Sequence, residues 1–174
     1  MDFFEVVIRN KRFHEFKSDQ KLSSDQIKQL MACAQLAPSL SDVQNFTYII
    51  ISDPAIKNQV AENTEGSDWI KNAAAIFAVV VISREDSDDV NIVDAIIASS
   101  QLMLAATANN LGSNFIVDFN QEVVSDLLGV SHESLEVIAL IPIGETLDKG
   151  SQGYKKTLAE LCNHNTLGNP YKFE

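Results

Sequence analysis

The segment from Val90 to Leu111 constrains the fold more than any other part of the chain. Ile92, Val93, Ile96, Ile97, Leu102, Met103, Leu104, Ala105 and Ala106 recur at helical spacing and leave only a narrow polar stripe. A helix of this kind is stable only when covered nearly all round, within one subunit or between two. Ile76 to Ile82 adds an unbroken apolar run, the pattern of a strand covered on both faces. The chain must therefore layer helices over a buried sheet.

The remaining segments supply those layers. Phe3, Phe4, Val7 and Ile8 predict a first helix that runs into the basic stretch beginning at Arg9. Ser23 and Gln26 have capping-box spacing, and Ile27, Leu30, Met31 and Ala34 then predict a helix that delivers the loop Pro38-Ser39-Leu40-Ser41-Asp42. Phe46 to Ile51 predicts a strand and Pro54 the first turn of a helix. Asn114 to Phe119 and Glu136 to Ile143 predict strands, Gln121 to Leu128 and Thr157 to Cys162 helices, and 144–153 a turn-rich loop. Alternation of this sort implies an α+β or α/β sandwich with helices covering a mixed sheet. At 174 residues, 45% of them hydrophobic, one unit spanning 1–174 is expected.

Charge and motifs exclude several function classes. A net charge of −11 opposes a broad nucleic-acid or anionic-membrane surface, so an anionic ligand must meet a local patch. Arg9, Lys11, Arg12 and Lys17 near the start, with Lys149, Lys155 and Lys156 near the end, suggest that the two termini converge on one anion. No apolar run is expected to reach the roughly 20 residues of a membrane span, and the acidic start lacks an apolar leader, so a cytoplasmic location is expected. Neither G-x-G-x-x-G nor a Walker glycine loop is present. His14, His132 and His164 have no metal-ligand spacing, and no metal is expected. Cys33 and Cys162, each within a helical apolar pattern, read as reduced core thiols.

Asn10 to Phe16, Ala37 to Asn45, Trp69 to Ala73, Asp94 to Ser113, and Val124 to Leu147 with Lys155 to Glu160, five segments taken in order, resemble the nitroreductase family of FMN-dependent oxidoreductases. Asn10-Lys11-Arg12-Phe13-His14-Glu15-Phe16 stands where the family has Arg-Arg-Ser-x-Arg-x-Phe, and Ala37-Pro38-Ser39-Leu40-Ser41-Asp42-Val43-Gln44-Asn45 answers Ala-Pro-Ser-x-x-Asn-x-Gln-Pro. Trp69-Ile70-Lys71-Asn72-Ala73 is similar to the segment before an apolar strand, and 94–113 looks like the family's central helix. Val124 to Leu147 with Lys155-Lys156-Thr157-Leu158-Ala159-Glu160 resembles the closing strand and basic tail.

The resemblance implies a three-layer sandwich and an intertwined homodimer. It implies bound FMN, reduced by NADH or NADPH and reoxidised by a small acceptor such as a nitroaromatic or quinone in a ping-pong cycle. Flavin N5 would carry the hydride, so no side chain is expected to be a catalytic nucleophile. Asn10, Lys11, Arg12 and His14, with Lys155 or Lys156, would hold the phosphate by charge-assisted hydrogen bonds. Ser39, Ser41 and Gln44 would bond ribityl hydroxyls or ring edges, Pro38 and Leu40 would flank the ring, and Val117 and Asp118 would lie near N5. The chain departs from the family at Asn10, Arg12, His14, Asp42, Val117 and Asp118. Those departures imply an altered phosphate grip and ring contact, and they keep open an alternative: a non-catalytic flavin- or nucleotide-binding module of the same fold.

Overall fold

A computed structural model of the protein describes residues 1–40, 43–82, 88–130 and 134–173, so Ser41, Asp42 and His132 lie outside the described residues. In chain order the helices are α1 (Phe3–Arg9), α2 (Ser24–Gln35), α3 (Pro54–Glu62), α4 (Asp88–Ala108), α5 (Gln121–Leu127) and α6 (Leu158–Leu161). The strands are β1 (Phe46–Ile51), β2 (Ala75–Ile82), β3 (Gly112–Ser113) and β4 (Leu135–Gly144), with a 3-10 turn at Asp68–Asn72 before β2. The sequence signals act at the predicted places. Ser23 and Gln26 form the capping box of α2, and Asp53 caps α3 through the amides of Ala55 and Ile56, with Pro54 in the first turn.

The sheet runs β1-β2-β4-β3, with every named pair antiparallel. β2 and β4 pair from Ala75 opposite Ile143 to Ile82 opposite Leu135, with an irregularity between Val79 and Val80. The parallel component is a single bridge outside the named strands, Arg12 to Ser113. The strand expected over 114–119 shrinks to β3 and an isolated bridge from Ile116 to Leu140. Asn114 explains the gap: its side-chain oxygen accepts the Phe115 amide at 2.9 Å and its Nδ2 donates to the Phe13 carbonyl. A side chain that bonds the neighbouring backbone competes with the ladder.

Two cores lie either side of β2 and β4, as period-two alternation requires. On one face Ala75, Phe77, Val79 and Val81, with Ala139, Ile141 and Ile143, meet Leu30 and Ala34 of α2 and Ala95, Ala98, Leu102 and Ala106 of α4. On the other face Ile76, Ala78, Val80, Val137 and Leu140 meet Val60 and Ala61 of α3, Ile70 and Val124 of α5. Alanines on the inner face of α4 let its backbone lie close to the sheet. Asp89–Ala108, with a hydropathy of 1.4, is long and apolar enough to cross a bilayer, which corrects the expectation that no run reaches that length, and half of it is buried within this chain against α2 and the sheet.

The cysteines depart from their expected place. Cys33 is exposed and Cys162 half-buried. The buried stripe of α2 is Leu30 and Ala34, and Cys33, about 100° round the helix from Ala34, falls outside it. Surface apolar groups gather elsewhere: Phe3, Phe4, Val7 and Ile8 of α1 and Val93 and Ile96 of α4 are exposed.

Lys57 ties the second core together. Its buried ammonium donates to the Ala73 carbonyl at 2.6 Å, closing the 3-10 turn onto α3. Burial lowers its pKa from 10.5, against the opposing pull of Asp19. In the window below 10.5 the unfolded chain therefore binds more protons than the folded one, and stability contributed by this site rises with pH. Lys57→Met removes that rise. The difference in urea midpoint between wild type and variant is expected to grow as pH rises towards 10.5.

Candidate functional site

After α1 the chain turns extended and threads between β3 and the segment after β4. The Arg12 amide donates to the Ser151 carbonyl at 2.9 Å and the Ser151 amide to the Arg12 carbonyl at 2.8 Å. Further along, the Leu147 amide donates to Glu15 and the Lys17 amide to Glu145, each at 2.9 Å. Phe13 is the packing pin of this seam. A Cβ on Gly112 would lie 2.9 Å from its ring and one on Gly150, which has φ +64°, 2.7 Å from it. Only glycine gives the backbone this approach.

The seam brings the basic ends together. A groove of about 770 Å³ opens between Val7 and Ile8 of α1, Asn10, Lys11 and Arg12, Met103 of α4, Ser113 to Phe115, and Ser151, Gln152, Tyr154 and Lys155. The Arg12 guanidinium lies over Gly153, where a Cβ would stand 2.5 Å from Nη2. Gln152 Nε2 donates to the Ile8 carbonyl at 2.8 Å, locking the end segment to α1. Among the described residues the ion pairs are Arg9 with Glu5, Lys17 with Glu145 and Lys71 with Asp68. Lys11, Arg12, Lys155 and Lys156 are in none of them, in a protein with an excess of carboxylates. Ser113, only 1% exposed on the groove wall, has a hydroxyl with no hydrogen-bond partner. Unpaired cations and an orphaned hydroxyl form the donor set that a phosphate-bearing ligand needs.

The predicted site residues fall into separate places. Asn10, Lys11, Arg12 and Lys155 share the groove, and Asn10 Oδ1 accepts the Thr107 hydroxyl of α4 at 3.4 Å. Lys156 is exposed beside it. His14 turns away: its amide donates to Asp148 Oδ2 at 3.0 Å and its ring meets Trp69 edge-on at 5.1 Å, while Trp69 stacks on Phe16. Pro38, Ser39 and Leu40 sit towards the other end of α4, where the Leu40 amide donates to Asp94 Oδ1 at 2.8 Å. Gln44, at φ +52°, folds back so that Nε2 donates to the Gln35 carbonyl. Asp94 and Thr107 are thirteen residues apart on α4, about 20 Å along the helix. Val117 is exposed, and Asp118 lines a different cleft with Glu62, Asn63 and Glu65.

Ser113, Asn114, Gln152 and Tyr154 were not legible as groove residues. They follow a helix or lie in a turn-rich loop, and only the pairing with Arg12 brings them to one place. Gly112-Ser113 carried a signal for the end of a helix and nothing more.

A helix-covered antiparallel sheet with a cationic groove where its terminal segments meet defines an α+β protein. The nitroreductase family model matches residues 59–145. The chain belongs to the nitroreductase family, an oxidoreductase family. An Archaeoglobus fulgidus protein that carries the name NADH dehydrogenase/NAD(P)H nitroreductase is 24% identical over 149 residues, covering 82% of this chain and 85% of its own. The crystal structure of a nitroreductase family protein from Clostridium novyi superposes with a TM-score of 0.79 at 23% identity, covering 98% of this chain and 97% of that one. A protein from Exiguobacterium sibiricum, solved in complex with FMN, superposes with a TM-score of 0.86 at 18% identity, covering 95% and 98%.

The seam has one side-chain tie that can be tested by itself. Asp148→Ala leaves the His14 amide without its acceptor and is expected to cost about 1 to 3 kcal/mol, read as a lower urea midpoint. Amide exchange should rise in 12–17 before it rises in β2.

Proposed function

We propose that the protein is an FMN-dependent oxidoreductase that takes electrons from NADH or NADPH and delivers them to a small acceptor, a nitroaromatic, quinone or similar compound, in a ping-pong cycle. The observation that carries this reading is the groove in which Arg12 and Lys155 stand unpaired beside the orphaned hydroxyl of Ser113. When bound, FMN supplies the hydride-carrying N5 of its ring, so this chain's residues bind and orient. Arg12, fixed by its backbone pairing with Ser151, donates a fork of N–H groups to the phosphate, and Lys155 or Lys156 adds a second charge. Asn10 and Lys11 line the same end, whereas the His14 ring packs on Trp69 outside the groove.

The ring side is completed by a second subunit in this reading. Pro38, Ser39, Leu40 and Gln44 belong to a loop tied to α4 about 20 Å from the Thr107 end of that helix. Phe3, Phe4, Val7 and Ile8 border or adjoin the groove and are exposed, as are Val93 and Ile96 on α4. A homodimer in which each copy lays its loop over the other's groove covers this apolar surface and assembles one site from two chains. The unit of function is then a pair of 1–174 folds, acting in the cytoplasm without nucleic acid, membrane or metal.

A second reading, flavin binding without turnover, draws support from Val117 and Asp118, since Asp118 shares its cleft with Glu62 and Glu65. Oxidation of NADH or NADPH with any acceptor separates the two.

Protein purified without added cofactor is expected to absorb in the flavin bands. A colourless preparation that also takes up no FMN overturns the proposal. Arg12→Ala should weaken FMN binding by about 1 to 3 kcal/mol, roughly 5- to 150-fold in Kd by fluorescence titration. Phe4→Asp should shift the protein from dimer to monomer in sedimentation velocity and release the flavin together with the partner.

A further inference from the structure

The described residues contain a buried carboxylate that the flavin reading does not use. Asp94, in the second turn of α4, is 1% exposed. Its Oδ1 accepts the Leu40 amide at 2.8 Å, and its Oδ2 has no hydrogen-bond partner. Burying a carboxylate is costly, and an apolar or small residue would serve helix packing better, as Ala95 and Ala98 do on the same helix. Among the described residues, the bond that Asp94 makes to another segment is to the backbone of the loop after α2.

Ala37 roots that loop in the core, and the described residues beyond it have few other ties. Pro38 has no amide to give, and the side chains of Leu36, Leu40 and Val43 are exposed. Its C-terminal end is tied by Gln44 Nε2 to the Gln35 carbonyl, in the left-handed conformation at φ +52°. A tie at Gln44 holds the loop to α2 alone. The Asp94 bond is what sets the height of Ser39 and Leu40 above α4, the helix whose other end borders the groove.

We propose that Asp94 is a positioning residue for the flavin-facing loop: its buried carboxylate holds the Leu40 amide from behind and thereby fixes where Ser39 meets the ring and the nicotinamide. This rests on the flavin reading above. The charge makes the acceptor strong, and burial keeps water from competing for the amide. Asparagine keeps an acceptor oxygen at the same place; alanine does not.

The test compares wild type, Asp94→Ala, Asp94→Asn and Leu40→Pro, the last of which deletes the donor and leaves Asp94 in place should the alanine variant fail to fold. Amide exchange in 36–46 is expected to rise at least about tenfold in Asp94→Ala, and in the rest of that segment in Leu40→Pro, and to return to within a few-fold of wild type in Asp94→Asn. In the holoprotein the same two disrupting variants should shift the flavin absorption bands and raise KM for NADH or NADPH with a smaller change in FMN affinity than Arg12→Ala causes. Unchanged exchange in 36–46 overturns the proposal. Loosened exchange with an unchanged spectrum and KM also overturns it, because Asp94 is then a structural tie only. A wild type that binds no FMN defeats the flavin reading and this inference with it; a yellow wild type with insensitive variants defeats this inference alone.

Discussion

The covering of α4 is the constraint on which the rest depends. A helix with Leu102, Ala95, Ala98 and Ala106 fully buried on one side cannot stand at the edge of a fold, and here it packs against α2 and the face of β2 and β4. β2, apolar throughout, needs a second layer on its far side, which α3 and α5 supply. Three layers follow from two runs of sequence. The helix also measures the molecule, because the groove borders its Met103 and Thr107 end and the serine-bearing loop sits over Asp94.

The groove itself is made by chain ends meeting. Residues 12–17 act as an extra strand, paired in part with 145–151 and bridged to Ser113, and the glycines at 112 and 150 make room for Phe13 in that seam. Fixing backbone in this way costs conformational entropy, and the hydrogen bonds and the packing of Phe13 offset it. The result is a rigid placement of Arg12 and Lys155 on one opening. An acidic protein thereby presents a local positive site without a basic surface.

Much of this was legible in the residues. The capping box at Ser23, the proline in the first turn of α3 and the apolar run of β2 are local properties, so they act in the same way whatever the rest of the chain does. The convergence of the terminal charges was also visible, as an uneven distribution of lysine and arginine. What the residues did not disclose was competition between partners. Asn114 takes a backbone amide that a strand would have used, His14 meets Trp69, and Cys33 lies beside a buried stripe whose edge depends on how α2 rolls onto the sheet.

The amino-acid sequence by itself determined the elements, their order, the layered class and the family resemblance, because hydrophobic period, caps and motif spacing are encoded within a few residues of one another. Only the tertiary structure decided which charges stay unpaired, that Ser113 and Lys155 face one groove, and that Asp94 reaches across to Leu40. Those facts depend on distances between residues far apart in the chain, and such distances are set by how the layers pack.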